Sequence, residues 1–148
     1  MSFNFPKLNL PPISLKIKEV EPGIFTYWDV VRKKYLRLTP EEWVRQHWVQ
    51  LLRTHYQFPL SHLAVEKQIS PKFRFDLLAF NKTGKACIVC EFKAPQIPLN
   101  QSVLEQSLDY NYNYGTSSIV LSNGLEHQLF NFDEAQNTFV RSEVLAPF

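Results

Sequence analysis

The stretch RFDLLAFNKTGKACIVCEFKAP, residues 74–95, constrains the fold more than any other part of the chain. Two apolar runs are joined by a polar turn, which predicts antiparallel strands over about 74–80 and 86–93. Asp76 stands in the first run, and Glu91 and Lys93 stand near the end of the second. Taking an unpaired charge out of water is costly, so a sheet that keeps these three must give them partners or a task.

A four-residue turn at 82–85 predicts the register. Asn81 pairs with Ala86, Phe80 with Cys87, Leu78 with Val89, Asp76 with Glu91, and Arg74 faces Lys93. Directly opposed residues of an antiparallel pair share a face, with β-carbons about 4.5–5.5 Å apart. Two carboxylates therefore lie side by side, with a lysine two residues further along the same face. Like charges so placed repel unless something positive lies between them. Lys93 and Arg74 can serve, and so can a divalent cation. An all-oxygen donor set suits Mg²⁺ or Mn²⁺ over zinc, and Mg²⁺ is usually held by one or two carboxylates with waters and substrate phosphates. A metal-bound water beside a lysine is equipment for phosphodiester hydrolysis.

The remaining segments predict an α/β domain in which helices flank a mixed central sheet. Residues 1–23 contain four prolines and read as an extended arm draped over the domain. IFTYWDV and KKYLRL make a short hairpin. Thr39, Pro40 and Glu42 form a helix start of N-cap, first-turn proline and third-position acid, so a helix is expected from about Pro40 to Tyr56. HLAVEKQI is a strand. PLNQSVLEQSLDYNYNY reads as a second helix, SSIVLS as a short apolar strand, Asn123-Gly124 as a turn, and HQLFNF and TFVRSEVL as a closing hairpin.

Length and composition narrow the function classes. A chain of 148 residues is expected to be a single domain with a real core. Its net charge of +2 announces no global field for nucleic acid, so any such contact must come from local patches. Residues 72, 74, 82 and 85 are basic near the strand pair, and Arg32, Lys33, Lys34 and Arg37 form a second cluster. No run approaches a membrane span and the start has no signal-peptide pattern, which leads to the expectation of a cytoplasmic protein. Cys87 and Cys90 have C-x-x-C spacing, but residues three apart on a strand point to opposite faces, so both are read as buried small hydrophobes.

Asp76, fourteen intervening residues, then Glu91-Phe92-Lys93 resembles the D…(D/E)-x-K signature of the PD-(D/E)XK nuclease superfamily. The ordered set LTPEEWVRQ, VEKQI, RFDLLAF, EFKAP, EQSLDYN and LSNG is similar to the N-terminal nuclease domain of type I restriction enzyme R subunits and their short stand-alone relatives. It spans about residues 35–130. The superfamily's proline before the aspartate is replaced here by Phe75.

The resemblance implies a restriction-endonuclease-like core and a Mg²⁺-dependent deoxyribonuclease. Asp76, Glu91 and the Phe92 carbonyl are its metal ligands, and Lys93 is the base or water-positioning residue. It also implies an acid on the first helix. Glu41 shares a helical stripe with Val44, Trp48 and Leu52, whereas Glu42 is off it by about 100° and is available to close a capping box with Thr39. Glu41 is therefore assigned to the site. Gln106 and Tyr110, four apart, match the Q-x-x-x-Y element of RecB-type branches and imply contact with nucleic acid. Arg74 is a candidate phosphate contact and Glu66 a supporting acid. The expected partners are DNA and a second copy of the chain or other restriction or DNA-repair subunits. The chain has no G-x-x-x-x-G-K-[ST] loop for ATP-driven translocation. The competing reading is a binding or structural module that keeps this fold without turnover.

Overall fold

The computed structural model describes residues 5–70, 73–102 and 115–145, with backbone alone at 67–70 and 73. Among the described residues, two sheets enclose one long helix. Strands β1 (Ile17–Glu21), β2 (Ile24–Asp29) and β3 (Lys34–Arg37) form a small antiparallel sheet. Helix α1 (Pro40–Thr54) follows. Strands β4 (Leu63–Ser70), β5 (Phe73–Phe80), β6 (Ala86–Phe92), β7 (Ser118–Ser122), β8 (His127–Asp133) and β9 (Thr138–Ser142) then pair in sequence order. The β6–β7 pair is parallel and the other neighbours are antiparallel, so the sheet is mixed, as expected. A parallel pair needs a long crossover. About half of it, residues 103–114, lies outside the described residues, together with most of the expected second helix.

Helix α1 begins where its capping residues predict. The Thr39 hydroxyl accepts the Glu42 amide at 3.1 Å, and Pro40 opens the first turn. The helix ends at Thr54, two residues short of the expected limit. One face puts Val44, Trp48 and Leu52 into a core with Leu77, Ala79, Ile88, Cys90 and Phe92. The other meets the small sheet, where the Tyr27 hydroxyl bonds Glu42 and Gln46. The sequence pattern shows one apolar face, whereas the structure also buries Arg45, Gln46 and Val49, because the helix is covered on both sides. The far face of the large sheet carries a second cluster of Phe75, Leu78, Val89, Ile119, Leu121 and Phe130.

Two sequence expectations are corrected here. Within the N-terminal arm, residues 17–21 are strand β1, paired with β2 through Ile17–Tyr27 and Lys18–Thr26. The preceding residues do drape over the domain: Leu8 is buried, and the Asn9 amide donates to the Gly124 carbonyl at 2.8 Å. Gly124 has φ +87°, a conformation strained for any side chain, and a β-carbon there would meet the end of the Leu8 side chain at 2.7 Å, so glycine suits this close approach of the arm.

The β5–β6 turn is also tighter than expected. Phe80 pairs with Ala86, and the Asn81 amide donates to the Lys85 carbonyl. A bulge at Cys87 absorbs the difference, so Leu78 still opposes Val89. The bulge brings Cys87 and Cys90 into the same core cluster rather than onto opposite faces. Both are free and buried, as expected, and burial pushes the Cys87 thiol up to about 11.

Candidate active site

The site forms at the end of the β5–β6 ladder away from the turn. The paired positions reach Leu77–Cys90, and one step further Asp76 meets Glu91. Glu91 lies close enough to Asp76 for the neighbouring carboxyl to raise its proton affinity. The Phe92 amide donates to Asp76 Oδ2 at 2.8 Å, and Arg45 Nη2 stands 3.5 Å from Oδ1, so both carboxylate oxygens have fixed neighbours. Just past the end of β6, the Lys93 amide donates to the Ser122 carbonyl at 2.9 Å, which fastens the lysine's backbone to the parallel strand β7.

Three acids respond to one another here. Burial and the neighbouring Asp76 push the Glu91 carboxyl up to about 8. Burial raises Asp76 too, against the opposing pull of the Phe92 amide, Arg45 and Lys93. Glu41 is raised by burial and by the charge of Asp76. Lys93 acts in the opposite direction on all three. The structure thus brings Glu41, Asp76, Glu91 and Lys93 within electrostatic reach, from a helix and two strands distant in sequence.

Glu42 has a different neighbourhood. Its amide completes the Thr39 cap, but its carboxylate does not close a capping box. It accepts from Tyr27 Oη and Arg45 Nη1, and from Arg32 Nη2 at 3.0 Å. Arg32 also holds Asp29 at 2.6 Å, and Asp29 is completely buried.

Glu66 adopts φ 52°, a left-handed conformation that is rare for a non-glycine residue and sits in mid-strand. It ion-pairs with Arg74 at 2.7 Å, Arg32 at 3.3 Å and Arg45 at 3.4 Å. Although burial works the other way, Arg45, Arg74 and Arg32 hold its carboxyl below the usual range. Arg74 is therefore spent on Glu66, and its expected position opposite Lys93 lies beyond the Leu77–Cys90 end of the paired residues. Lys82 and Lys85, expected to touch phosphate, sit on the turn at the opposite end of the strands from Asp76 and Glu91. Gln106, Tyr110 and Lys72 lie outside the described residues.

Sequence reasoning missed Arg45. This residue is 1% exposed, and its guanidinium stands among Glu41, Glu42, Glu66 and Asp76. The only signal was its i, i+4 and i, i+3 spacing from Glu41 and Glu42. Tyr27 and Arg32 had no local signal, because their partners come from other elements.

Among the described residues, no three His, Cys, Asp or Glu side chains are grouped closely enough to hold a metal alone. The donor chemistry at Asp76 and Glu91 nevertheless fits a hard divalent cation. Two adjacent half-buried carboxyls, both held above their usual proton affinity first by desolvation, form an oxygen-only pair that a cation would relieve. Two carboxylates are also the usual protein share of a Mg²⁺ shell.

Residues 40–145 match the family described as Type I restriction enzyme R protein N terminus (HSDR_N). A solved structure of the type IIG restriction endonuclease BpuSI is similar over 67% of this chain, at 19% sequence identity and a TM-score of 0.43. The chain spans 12% of that enzyme's length. No curated protein matches.

Proposed function

The chain belongs to the family of type I restriction enzyme R protein N termini, and we propose that it is a Mg²⁺-dependent nuclease of PD-(D/E)XK type that hydrolyses phosphodiester bonds of DNA. The observation that carries this reading is the Asp76–Glu91 carboxyl pair, with Lys93 and Glu41 acting on it.

Asp76 and Glu91 would hold Mg²⁺ or Mn²⁺, with the Phe92 carbonyl as a further ligand carried over from the family pattern. When bound, the cation supplies Lewis acidity and lowers the proton affinity of a coordinated water. The protein's own groups do the rest. The Phe92 amide and Arg45 fix the rotamer of Asp76, so little ordering remains when the site fills. Lys93, beside all three carboxyls, offsets phosphate charge and orients the water. Glu41, 45% exposed on the rim and 3.6 Å from Arg45, would accept a proton or hold an outer water.

The Arg45 contact favours a second reading, in which the fold binds nucleic acid without turnover. The guanidinium already partners Asp76 Oδ1 and would compete with a cation.

Plasmid and single-stranded DNA incubated with Mg²⁺ or Mn²⁺ separates the two. Nuclease function predicts cleavage by wild type that Asp76→Ala and Lys93→Ala both lose while remaining folded by circular dichroism. Binding without cleavage supports the second reading.

A further inference from the structure

The small sheet has one face turned toward α1 and one turned away, and the outward face has a composition of its own. Register places Lys18, Thr26 and Arg37 in one row across the three strands, and Trp28 beside Tyr35 in the next. The Trp28 amide donates to the Lys16 carbonyl at 2.9 Å, which extends that second row to Lys16. Side-chain contacts agree with the register. The Trp28 and Tyr35 rings meet edge to face at 5.3 Å, and Lys18 Nζ and Lys16 Nζ lie 4.1 and 6.0 Å from the centre of the Tyr35 ring. Tyr27 and Asp29, on the opposite parity, point inward to α1.

The outward face therefore combines two half-buried aromatic rings with three exposed cations and no acid in either row. Among the described residues, no carboxylate pairs with Lys16, Lys18 or Arg37. In contrast, the inward face neutralises Arg32 with Asp29, Glu42 and Glu66. A cleft of about 310 Å³ opens beside Trp28, walled by Lys16, Val30 and Gln46.

We propose that this face binds single-stranded DNA, with bases stacked on Trp28 and Tyr35 and phosphates on Lys16, Lys18 and Arg37. Aromatic rings on an open sheet offer stacking platforms to unpaired bases, and interleaved cations follow the backbone. A duplex hides its base faces and gains only the phosphate contacts. The proposal rests on the nuclease reading for its choice of DNA. It adds a second contact surface, on the side of the small sheet facing away from α1.

Fluorescence anisotropy of a labelled oligothymidylate, measured with the full chain in EDTA, tests it without cleavage. Two variants remove the surface independently, Trp28→Ala/Tyr35→Ala and Lys16→Gln/Lys18→Gln/Arg37→Gln. Each is expected to weaken binding at least about ten-fold, since stacking contributes roughly 1–3 kcal/mol per base. The triple variant should also flatten the log–log salt dependence by about two. A duplex of the same length should bind more weakly than the single strand. Unchanged affinity in both surface variants overturns the proposal, as does a wild type that binds no single strand or prefers duplex. Cleavage in Mg²⁺ by wild type but not by Asp76→Asn would then still stand for the nuclease reading, so the two fail separately.

Discussion

Glu41 and Glu42 are adjacent in sequence, yet they serve regions of opposite electrostatic character. Glu42 belongs to a network in which Asp29, Glu42 and Glu66 are matched by Arg32, Arg45 and Arg74, with the Tyr27 hydroxyl at its centre. Glu41 belongs with Asp76 and Glu91, where the cations are Lys93 and one edge of the Arg45 guanidinium. The direction of the carboxyl shifts separates the two. Glu66, although burial opposes it, is held below its usual range by arginines, whereas Glu41, Asp76 and Glu91 are all raised, first by burial. One region has completed its own pairing and is structural. The other has three carboxyls and fewer cations to pair them, an excess of oxygen donors that a cation would satisfy.

The comparison breaks most visibly at Arg45. Arg45→Met leaves several half-buried acids without their counter-charge, and breaking such a pair costs about 3–5 kcal/mol. Urea denaturation near pH 7 should show a loss of that order; a loss under about 1 kcal/mol would mean the network contributes little. Tyr27→Phe is the milder cut. It removes a buried hydroxyl that Glu42, Asp29, Arg32 and Gln46 all contact, and an expected loss of roughly 1–3 kcal/mol follows from leaving those groups short of a partner.

The raised acids should respond with the opposite sign. Asp76→Asn or Glu91→Gln removes repulsion in the metal-free protein and should raise its melting temperature by a few degrees, on the order of 1 kcal/mol. Their pH dependence sharpens the point. A carboxyl that holds its proton more tightly when folded contributes stability that is fully present below its unfolded range and is lost as pH rises toward the folded value. For Glu91 that window runs from 4.5 to about 8. Metal-free wild type should therefore lose stability across this window, and Glu91→Gln should flatten the loss. A wild-type profile already flat there would contradict the assignment. The smallest effect is expected at Arg74→Ala. Its side chain is 62% exposed, and such pairs contribute about 0–1 kcal/mol.

Much of this division was legible in the chain because local rules governed it. The Thr39-Pro40 start fixed the phase of α1 and separated Glu41 from Glu42. Alternation set Leu78 against Val89 and so brought Asp76 to Glu91, even though the turn was one residue shorter and a bulge at Cys87 made up the difference. The arginine network was not legible. Arg32, Tyr27 and Glu66 come from three separate strands or turns, and nothing in their spacing marks a meeting. Strand β1 was missed for a related reason: SLKIKEVE lies among prolines and exposes alternate polar residues, and its pairing depends on β2 rather than on its own apolarity.

The central claim is that Asp76 and Glu91 form the divalent-cation site and that Glu42 and its arginines do not. Calorimetric titration of Mn²⁺ at pH 8.5 into wild type, Asp76→Asn, Glu91→Gln and Glu42→Gln addresses it directly, with circular dichroism confirming that each variant is folded. Saturable binding that vanishes in the first two variants and persists in Glu42→Gln is the predicted result. Binding retained in Asp76→Asn and Glu91→Gln, or absent from wild type, would contradict it.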